Sequence, residues 1–105
     1  MSHSDNCVFC KIVAVQIPSK KVYENDSVFA FHDIDPKAPK HILVIPKKHL
    51  ASLADAQPTD EALLGHSLMT AASSARDHGL GKGYRVGIST GPEGGQTVDH
   101  LHLHM

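Results

Sequence analysis

The sequence lacks tryptophan, has few aromatic residues and carries no large excess of charge of either sign. Aromatic residues make up 5% of its 105 residues, and ten basic residues nearly balance eleven acidic ones. This balance argues against a general nucleic-acid-binding protein, because such proteins need a basic excess to displace counterions from phosphates. No stretch approaches the roughly 18 apolar residues that span a bilayer, and no signal-peptide core follows the polar N-terminus. We therefore expect a cytoplasmic protein that binds neither nucleic acid nor membrane.

The length and composition are those of one globular domain covering residues 1–105. Hydrophobic patterns indicate five strands, over residues 21–24, 27–32, 41–45, 84–90 and 96–105. They also indicate a short helical segment over 11–15 and a long helix over 59–78, capped by Thr59, with an apolar stripe comprising Leu64, Leu68, Ala71, Ala72 and Ala75. This order predicts an α+β fold in which the helix packs on an antiparallel sheet of about five strands.

Histidine is abundant, with nine residues, and three of them alternate along the last predicted strand. Because side chains alternate across a strand, His100, His102 and His104 share one face, and the intervening apolar residues pack under the helix. The histidine face must then contact water, an anion or a metal. Several protonated imidazoles side by side repel one another, so this pattern is typical of a functional site rather than a solvated surface. Alternating histidines also build catalytic metal sites, and the spacing leaves that alternative open.

The two cysteines, Cys7 and Cys10, form a C-x-x-C pair near the start of the chain. This spacing suits a tetrahedral zinc site or a redox couple, or it has no special role. As a redox motif the pair is poorly placed, because no βαβ unit precedes it. A structural disulfide is not expected in a reducing cytoplasm.

The segment GGQTVDHLHLHM, at residues 94–105, resembles the H-x-H-x-H signature of the histidine triad (HIT) superfamily, with the lead-in of its nucleotide-binding branch. Five upstream segments resemble that branch in order and spacing, over nearly the whole chain: FCKI, IPSK, VYEND, FAFHDIDPKAPKHILVIPKKH and GYRVGIST. The resemblance implies a HIT-like fold and a homodimer. It also implies a hydrolase or nucleotidyl transferase acting on a purine nucleoside phosphoramidate or related nucleotide. A nucleotide-binding scaffold with incidental hydrolysis is the alternative, since retained histidines serve both.

By this resemblance His102 is the nucleophile that attacks the α-phosphorus and forms a nucleotidyl-histidine intermediate. A neutral imidazole has a free lone pair near pH 7, provided that its other nitrogen donates a hydrogen bond that fixes the tautomer. The resemblance implies that His104 contacts the phosphate oxygens and helps protonate the leaving group. It also implies that His41 is a further hydrogen-bond donor at the site.

For the substrate, the resemblance places Asp33 on the ribose hydroxyls. The other implied substrate-binding residues are Phe9, Ile12, Phe31, His32 and Ile34 around the base, and Ser89, Gly95, Gln96 and Thr97 near the phosphate. Each apolar residue serves equally well as ordinary core, and Asp33 as a turn residue. Ser89 departs from the family pattern, which commonly has a longer-reaching asparagine there.

In some HIT proteins that this chain resembles, a cysteine pair joins two histidines, which correspond to His49 and His100. The resemblance thus implies a closed, structural Zn²⁺ site made by Cys7, Cys10, His49 and His100. Relatives that lack the cysteines fold without metal. Relatives also continue beyond the position of Met105 through a glycine-rich loop, so we expect a C-terminal tail that this sequence does not include.

Overall fold

The computed structural model describes residues 7–33 and 41–105. Its elements in chain order are α1 (Val8–Val13), β1 (Lys21–Glu24), β2 (Val28–His32), β3 (Ile42–Pro46), α2 (Glu61–Asp77) and β4 (Leu103–His104). The four strands form one antiparallel sheet in the order β1-β2-β3-β4. Two 3₁₀ turns, Leu53–Asp55 and Pro58–Asp60, lead into α2. The predicted α+β class, with one main helix and an antiparallel sheet, is confirmed.

The centre of the sheet is the β2–β3 pair, which is apolar on both faces. All five residues of β2 pair with β3, from Val28 opposite Pro46 to His32 opposite Ile42. Phe31 and Leu43 belong to a core cluster with residues of α1, whereas Ala30 and Val44 belong to a second cluster with Ala71 of α2. Because alternate side chains enter two separate cores, the strand predicted over 41–45 reads as a nearly continuous apolar run. The two helices therefore supply residues to cores on opposite faces of the sheet.

The helix α2 differs from its predicted form at its start and in its buried face. Its N-cap is Asp60 rather than Thr59. The Asp60 carboxylate accepts from the Gln57 N–H at 2.9 Å, in a reciprocal cap of the 3₁₀ turn Pro58–Asp60 that leads into α2. The predicted stripe is only partly correct, because Leu68 is 49% exposed. The buried residues are mostly small: Ser67, Thr70, Ala71, Ser74 and Ala75. Small side chains let the helix approach the sheet closely. Neither helix of the described residues is long and apolar enough to cross a bilayer.

The C-terminal strands are shorter than predicted. Only Leu103–His104 pairs with β3, and from the segment predicted over 84–90 only Gly87 forms a bridge, opposite His104. Upstream of β4 the backbone leaves the ladder, because the Leu101 N–H donates to the Leu50 carbonyl at 2.7 Å. The first helix is also shifted: it begins after Cys7, whose sulfur accepts the Cys10 N–H at 3.2 Å and caps it.

Val15, in the turn that follows α1, has a strained backbone. Val15 has φ of 62° and is 83% exposed, and no other non-glycine residue of the described ranges has a positive φ. A β-branched residue in the left-handed region costs about 1–2 kcal/mol, and this exposed side chain recovers little of it by burial.

We expect Val15→Gly to raise the free energy of unfolding by about 1 kcal/mol, because glycine adopts this φ without a steric penalty. Urea unfolding monitored by circular dichroism measures the change. Ala14→Gly is the matched control: Ala14 has φ of −79°, so glycine there should only lower stability. Equal effects of the two substitutions would contradict the assignment of strain to Val15.

Candidate active site and metal centre

The histidine His102 is held in one tautomer by a backbone carbonyl. Its Nδ1 lies 2.7 Å from the carbonyl oxygen of His100. A carbonyl can only accept, so Nδ1 carries the proton and Nε2 carries the lone pair. Within the described residues Nε2 makes no hydrogen bond. The ring is thus oriented with its basic nitrogen available.

This ring faces a cavity of about 420 Å³. The lining residues combine an apolar wall from α1, β2, β3 and the chain after α1 with a polar end; they are Val8, Phe9, Ile12, Ile17, Pro18, Phe31, Asp33, His41, Leu43, Thr97, Val98, His102 and His104. His102 is only 3% exposed, yet it lines this cavity, so a ligand in the cavity would lie next to its ring.

Three polar side chains at this end of the cavity form a hydrogen-bonded chain. The Asp33 carboxylate accepts from His41 Nδ1 at 3.0 Å, and His41 Nε2 lies 3.2 Å from His104 Nδ1. The centroid of the His104 ring lies 4.6 Å from that of His102. Burial lowers the pKa of His104, the imidazoles of His102 and His41 lower it further, and Asp33 opposes them. The His104 ring is therefore mainly neutral at neutral pH.

A second centre lies on the other side of Phe9, where two cysteines meet two histidines. The Nδ1 of His100 lies 3.1 Å from the Cys7 sulfur and 3.5 Å from that of Cys10, and the Nδ1 of His49 lies 3.3 Å from the Cys10 sulfur. The two Nδ1 atoms are 3.2 Å apart, and all four ligand atoms lie within 4.8 Å of one another.

These distances fit a tetrahedral ion. Metal–sulfur bonds of about 2.3 Å and metal–nitrogen bonds of about 2.0–2.1 Å place nitrogen and sulfur about 3.5 Å apart and two nitrogens about 3.3 Å apart. The fully buried His100 donates its Nε2–H to the Pro46 carbonyl at 2.8 Å, which turns the Nδ1 lone pair towards the sulfurs. Burial raises the pKa of Cys7, and a bound cation would favour its thiolate. Cys7, Cys10, His49 and His100 are therefore positioned to bind a metal ion.

The triad histidines do not converge on one ion. The alternation predicted for this segment holds, since Leu101 and Leu103 pack in the α2 core. However, His100 turns to the cysteines, His102 to its carbonyl and the cavity, and His104 to His41. Of the three, only His100 belongs to the metal-ligating group found among the described residues. This geometry disfavours a catalytic metal held by the triad.

The residues expected around the base are divided between the cavity and other places. Phe9, Ile12 and Phe31 line the cavity. The His32 ring instead packs edge-on against His78, with centroids 5.7 Å apart, and is not part of the described lining. Ile34 lies outside the described residues.

The residues expected near the phosphate are also divided. Thr97 lines the cavity, whereas the half-buried Ser89 and the exposed Gly95 are not among the described lining residues. The Gln96 side chain accepts from the Gly91 N–H at 2.8 Å and donates to the carbonyls of Ala51 and Val98. Its polar atoms thus hold the loop that carries Thr97.

Sequence reasoning missed several wall residues. Val8, Ile17, Pro18, Leu43 and Val98 line the cavity but were not predicted as site residues. Ile17 and Pro18 belong to the IPSK segment, one of the segments that resemble the HIT family, so that motif could have identified them. The other three look like ordinary apolar residues, and nothing in the sequence distinguishes them.

The lowered pKa of His104 predicts a pH-dependent stability. Because folding holds this pKa below its unfolded value of about 6.5, the protonated ring destabilises the fold. That penalty is absent above about pH 6.5 and grows as the pH falls through the lower, folded pKa. Between about pH 7.5 and about pH 5.5, the unfolding free energy of the wild type should therefore fall more than that of His104→Gln. Urea titrations of both proteins at each pH measure this difference, and parallel pH profiles would contradict it.

Known proteins with similar sequences and structures belong to one family. The family model described as the HIT domain matches residues 14–105. A HIT-like protein of Synechococcus elongatus is 51% identical over 102 residues, covering 97% of this chain and 90% of its own length.

Two solved structures are also similar. A HIT family hydrolase from Legionella pneumophila superposes with a TM-score of 0.92 at 45% identity, over 94% of this chain and 89% of that one. A histidine triad nucleotide-binding protein from Candida albicans superposes with a TM-score of 0.86 at 34% identity, over 94% and 72%. With the fold, the triad and these matches together, the chain belongs to the HIT family.

Proposed function

We propose that this HIT protein is a nucleotide-binding hydrolase that acts at the α-phosphorus of a purine nucleoside phosphoramidate or a related nucleotide. The observation that carries the proposal is the tautomer of His102. Its Nδ1–H donates to the His100 carbonyl, which leaves the Nε2 lone pair for the cavity. A neutral, oriented imidazole is what nucleophilic attack on phosphorus requires. The hydrolase and nucleotide-binding descriptions of the two similar structures support the same reaction class.

In the first step the Nε2 lone pair of His102 forms a bond to phosphorus, and the bond from phosphorus to the leaving amine breaks. The ring becomes positively charged, and its Nδ1–H bond to the His100 carbonyl stabilises that charge. The leaving nitrogen needs a proton, and His104 stands beside His102 to donate it. The Asp33–His41 pair then resupplies His104 through their hydrogen bonds. In the second step water attacks the phosphorus, the bond from phosphorus to His102 Nε2 breaks, and the proton that the water loses passes back to the His104–His41 pair.

The cavity suits a nucleotide. Its apolar wall, which includes Phe9, Ile12 and Phe31, would take the base, and Asp33 at the polar end would accept from a ribose hydroxyl. Thr97 would approach the phosphate from the loop that Gln96 holds, whereas the Gly95 N–H donates to the Pro92 carbonyl at 3.1 Å within that loop. We assign Gln96 a positioning role in that loop.

We further propose that the Cys7, Cys10, His49 and His100 centre holds Zn²⁺ in a closed structural site. Two sulfurs and two imidazoles are a ligand set that zinc prefers, and no ligand position remains for substrate. A neighbouring cysteine pair without a disulfide is typical of a reducing compartment, so we place the protein in the cytoplasm. Leu68 and Met69, which are 49% and 64% exposed on α2, support a homodimer that covers them.

The His102→Ala variant should lose turnover of adenosine 5′-phosphoramidate by about 10³-fold or more, while AMP affinity changes by less than about tenfold. The reason is that the lost group acts in the transition state and contributes little to ground-state contacts. Steady-state kinetics and calorimetric titration with AMP measure the two effects.

Trapping the covalent intermediate tests directly whether His102 is the nucleophile. Quenching the wild type during turnover of a ³²P-labelled substrate should leave labelled protein, and His102→Ala should show none. His66 is exposed and is not among the described lining residues, so His66→Asn should label like the wild type. Equal labelling of His102→Ala would exclude His102 as the nucleophile.

Metal analysis of protein purified without chelator should find one zinc per chain. Cys7→Ser combined with Cys10→Ser should remove the metal and lower the melting temperature by about 5 °C or more. The reason is that zinc binding stabilises only the folded state, and that stabilisation is lost with the metal. Elemental analysis and thermal unfolding monitored by circular dichroism measure these results. A wild type that holds no zinc, or a double variant that keeps it, would refute the assignment.

A further inference from the structure

We propose that the metal centre is a positioning element for the substrate cavity: its four ligands hold α1, and thereby Phe9, against His102, so that metal occupancy sets nucleotide affinity. The chemistry at His102 does not depend on it. This inference rests on the nucleotide hydrolase function proposed above and extends it to the control of the same site.

The short helix α1 connects the two centres. It has six residues, too few to be stable in isolation. Cys7, at its N-cap, and Cys10, in its first turn, contact His100 of the metal centre. Phe9 and Ile12 of the same helix line the cavity. Any movement of α1 relative to the metal ligands therefore moves the cavity wall.

The side chain of Phe9 makes this connection direct. Its ring centroid lies 5.0 Å from that of His102, 5.9 Å from that of His100 and 5.7 Å from that of Phe31, all edge-on. Edge-to-face pairs at these separations are favourable, and they are lost when one ring shifts. Phe9 therefore packs against the nucleophile, the metal ligand and the cavity wall at once.

A metal ion would hold the four ligand side chains together more firmly than their hydrogen bonds do alone. The Nε2–H of His100 is committed to the Pro46 carbonyl, so its Nδ1 can only accept. Two sulfurs and the Nδ1 of His49 crowd around that single lone pair, at distances of 3.1 to 3.5 Å. A cation satisfies all four groups together, whereas thiol hydrogen bonds satisfy only part of them.

The triad itself is anchored independently of α1. His100 stays fixed by the Pro46 carbonyl, and Leu101 by its N–H bond to Leu50. The bond that sets the His102 tautomer comes from the His100 backbone, and His104 is held by β3. Loss of the metal should therefore loosen α1 while leaving the nucleophile in place. Burial of Phe9 and Ile12 in the core keeps α1 attached, so the effect is local.

The experiment compares zinc-loaded wild type, the same protein stripped with chelator, and stripped protein reloaded with zinc. On stripping, the Kd for AMP and the KM for adenosine 5′-phosphoramidate should rise about tenfold, while kcat changes less than about threefold. Reloading should reverse both increases. Amide hydrogen exchange should become faster in Val8–Val13 and stay unchanged in β3, and this readout needs no nucleotide.

A ligand outside α1 provides the matched variant. His49→Asn alters neither α1 nor a cavity-lining residue, so a rise in KM with preserved kcat, accompanied by zinc loss and faster exchange in α1, indicates an effect passed through the metal centre. His66→Asn, which lies outside the ligand set, should retain zinc and wild-type KM.

Three results would overturn the positioning role: unchanged AMP affinity and unchanged α1 exchange after complete zinc loss, an equal loss in kcat, or unfolding of the whole chain. Failure of the zinc-loaded wild type to bind AMP or turn over the phosphoramidate would instead refute the proposed function. Exchange at α1 would still decide whether the metal centre holds the helix.

Discussion

The hydrogen bond from His102 Nδ1 to the His100 carbonyl is the interaction on which the rest of the site depends. It fixes which nitrogen of His102 carries a proton, at a distance of 2.7 Å. The same residue that supplies the carbonyl directs its own side chain to the cysteines and to the Pro46 carbonyl. One residue thus serves the candidate metal centre with its imidazole and the candidate nucleophile with its backbone. Two sites with different chemistry share a single anchor.

The antiparallel pairing of β3 with the C-terminal segment explains why each histidine has the partner it has. His104 lies opposite Leu43, near the start of β3, which brings it to His41 just before the strand. The chain runs antiparallel, so His100 lies towards the other end of β3 and reaches the Pro46 carbonyl. If the C-terminal segment ran parallel to β3, His104 would lie away from His41, and the two rings would no longer meet at the cavity.

Sequence patterns predicted the parts of this molecule that local rules determine. The bounds of β2 and β3 lie within one residue of the prediction, because continuous apolar and β-branched runs leave few alternatives. The alternation that separates Leu101 and Leu103 from the histidines also follows from strand geometry alone. The family resemblance then supplied the four metal ligands, which the structure brings together.

The remainder could not be predicted because it depends on which segments meet. The sequence predicts Gln96 as a phosphate ligand, but in the structure its side-chain amide is hydrogen-bonded to the backbone of Gly91 and Ala51. The sequence predicts His32 beside the base, but in the structure its ring packs against His78, which follows α2. The extent of β4 depends on Leu50, whose carbonyl removes Leu101 from the ladder. In each case the competing partner is distant in sequence and has no local signal.

The charged and polar groups at the polar end of the cavity are arranged to assist attack by the His102 lone pair. Asp33 is the carboxylate that lines the cavity within the described residues, and it faces His41. The His41 Nδ1–H donates to that carboxylate, so the polar end of the cavity pairs its acidic group with an imidazole. Burial lowers the pKa of His104, so the ring beside His102 is mainly neutral at neutral pH and does not repel a positive charge that forms on His102 during attack. The His100 carbonyl holds the Nδ1–H of His102, and the Nε2 lone pair is left for a phosphorus atom in the cavity.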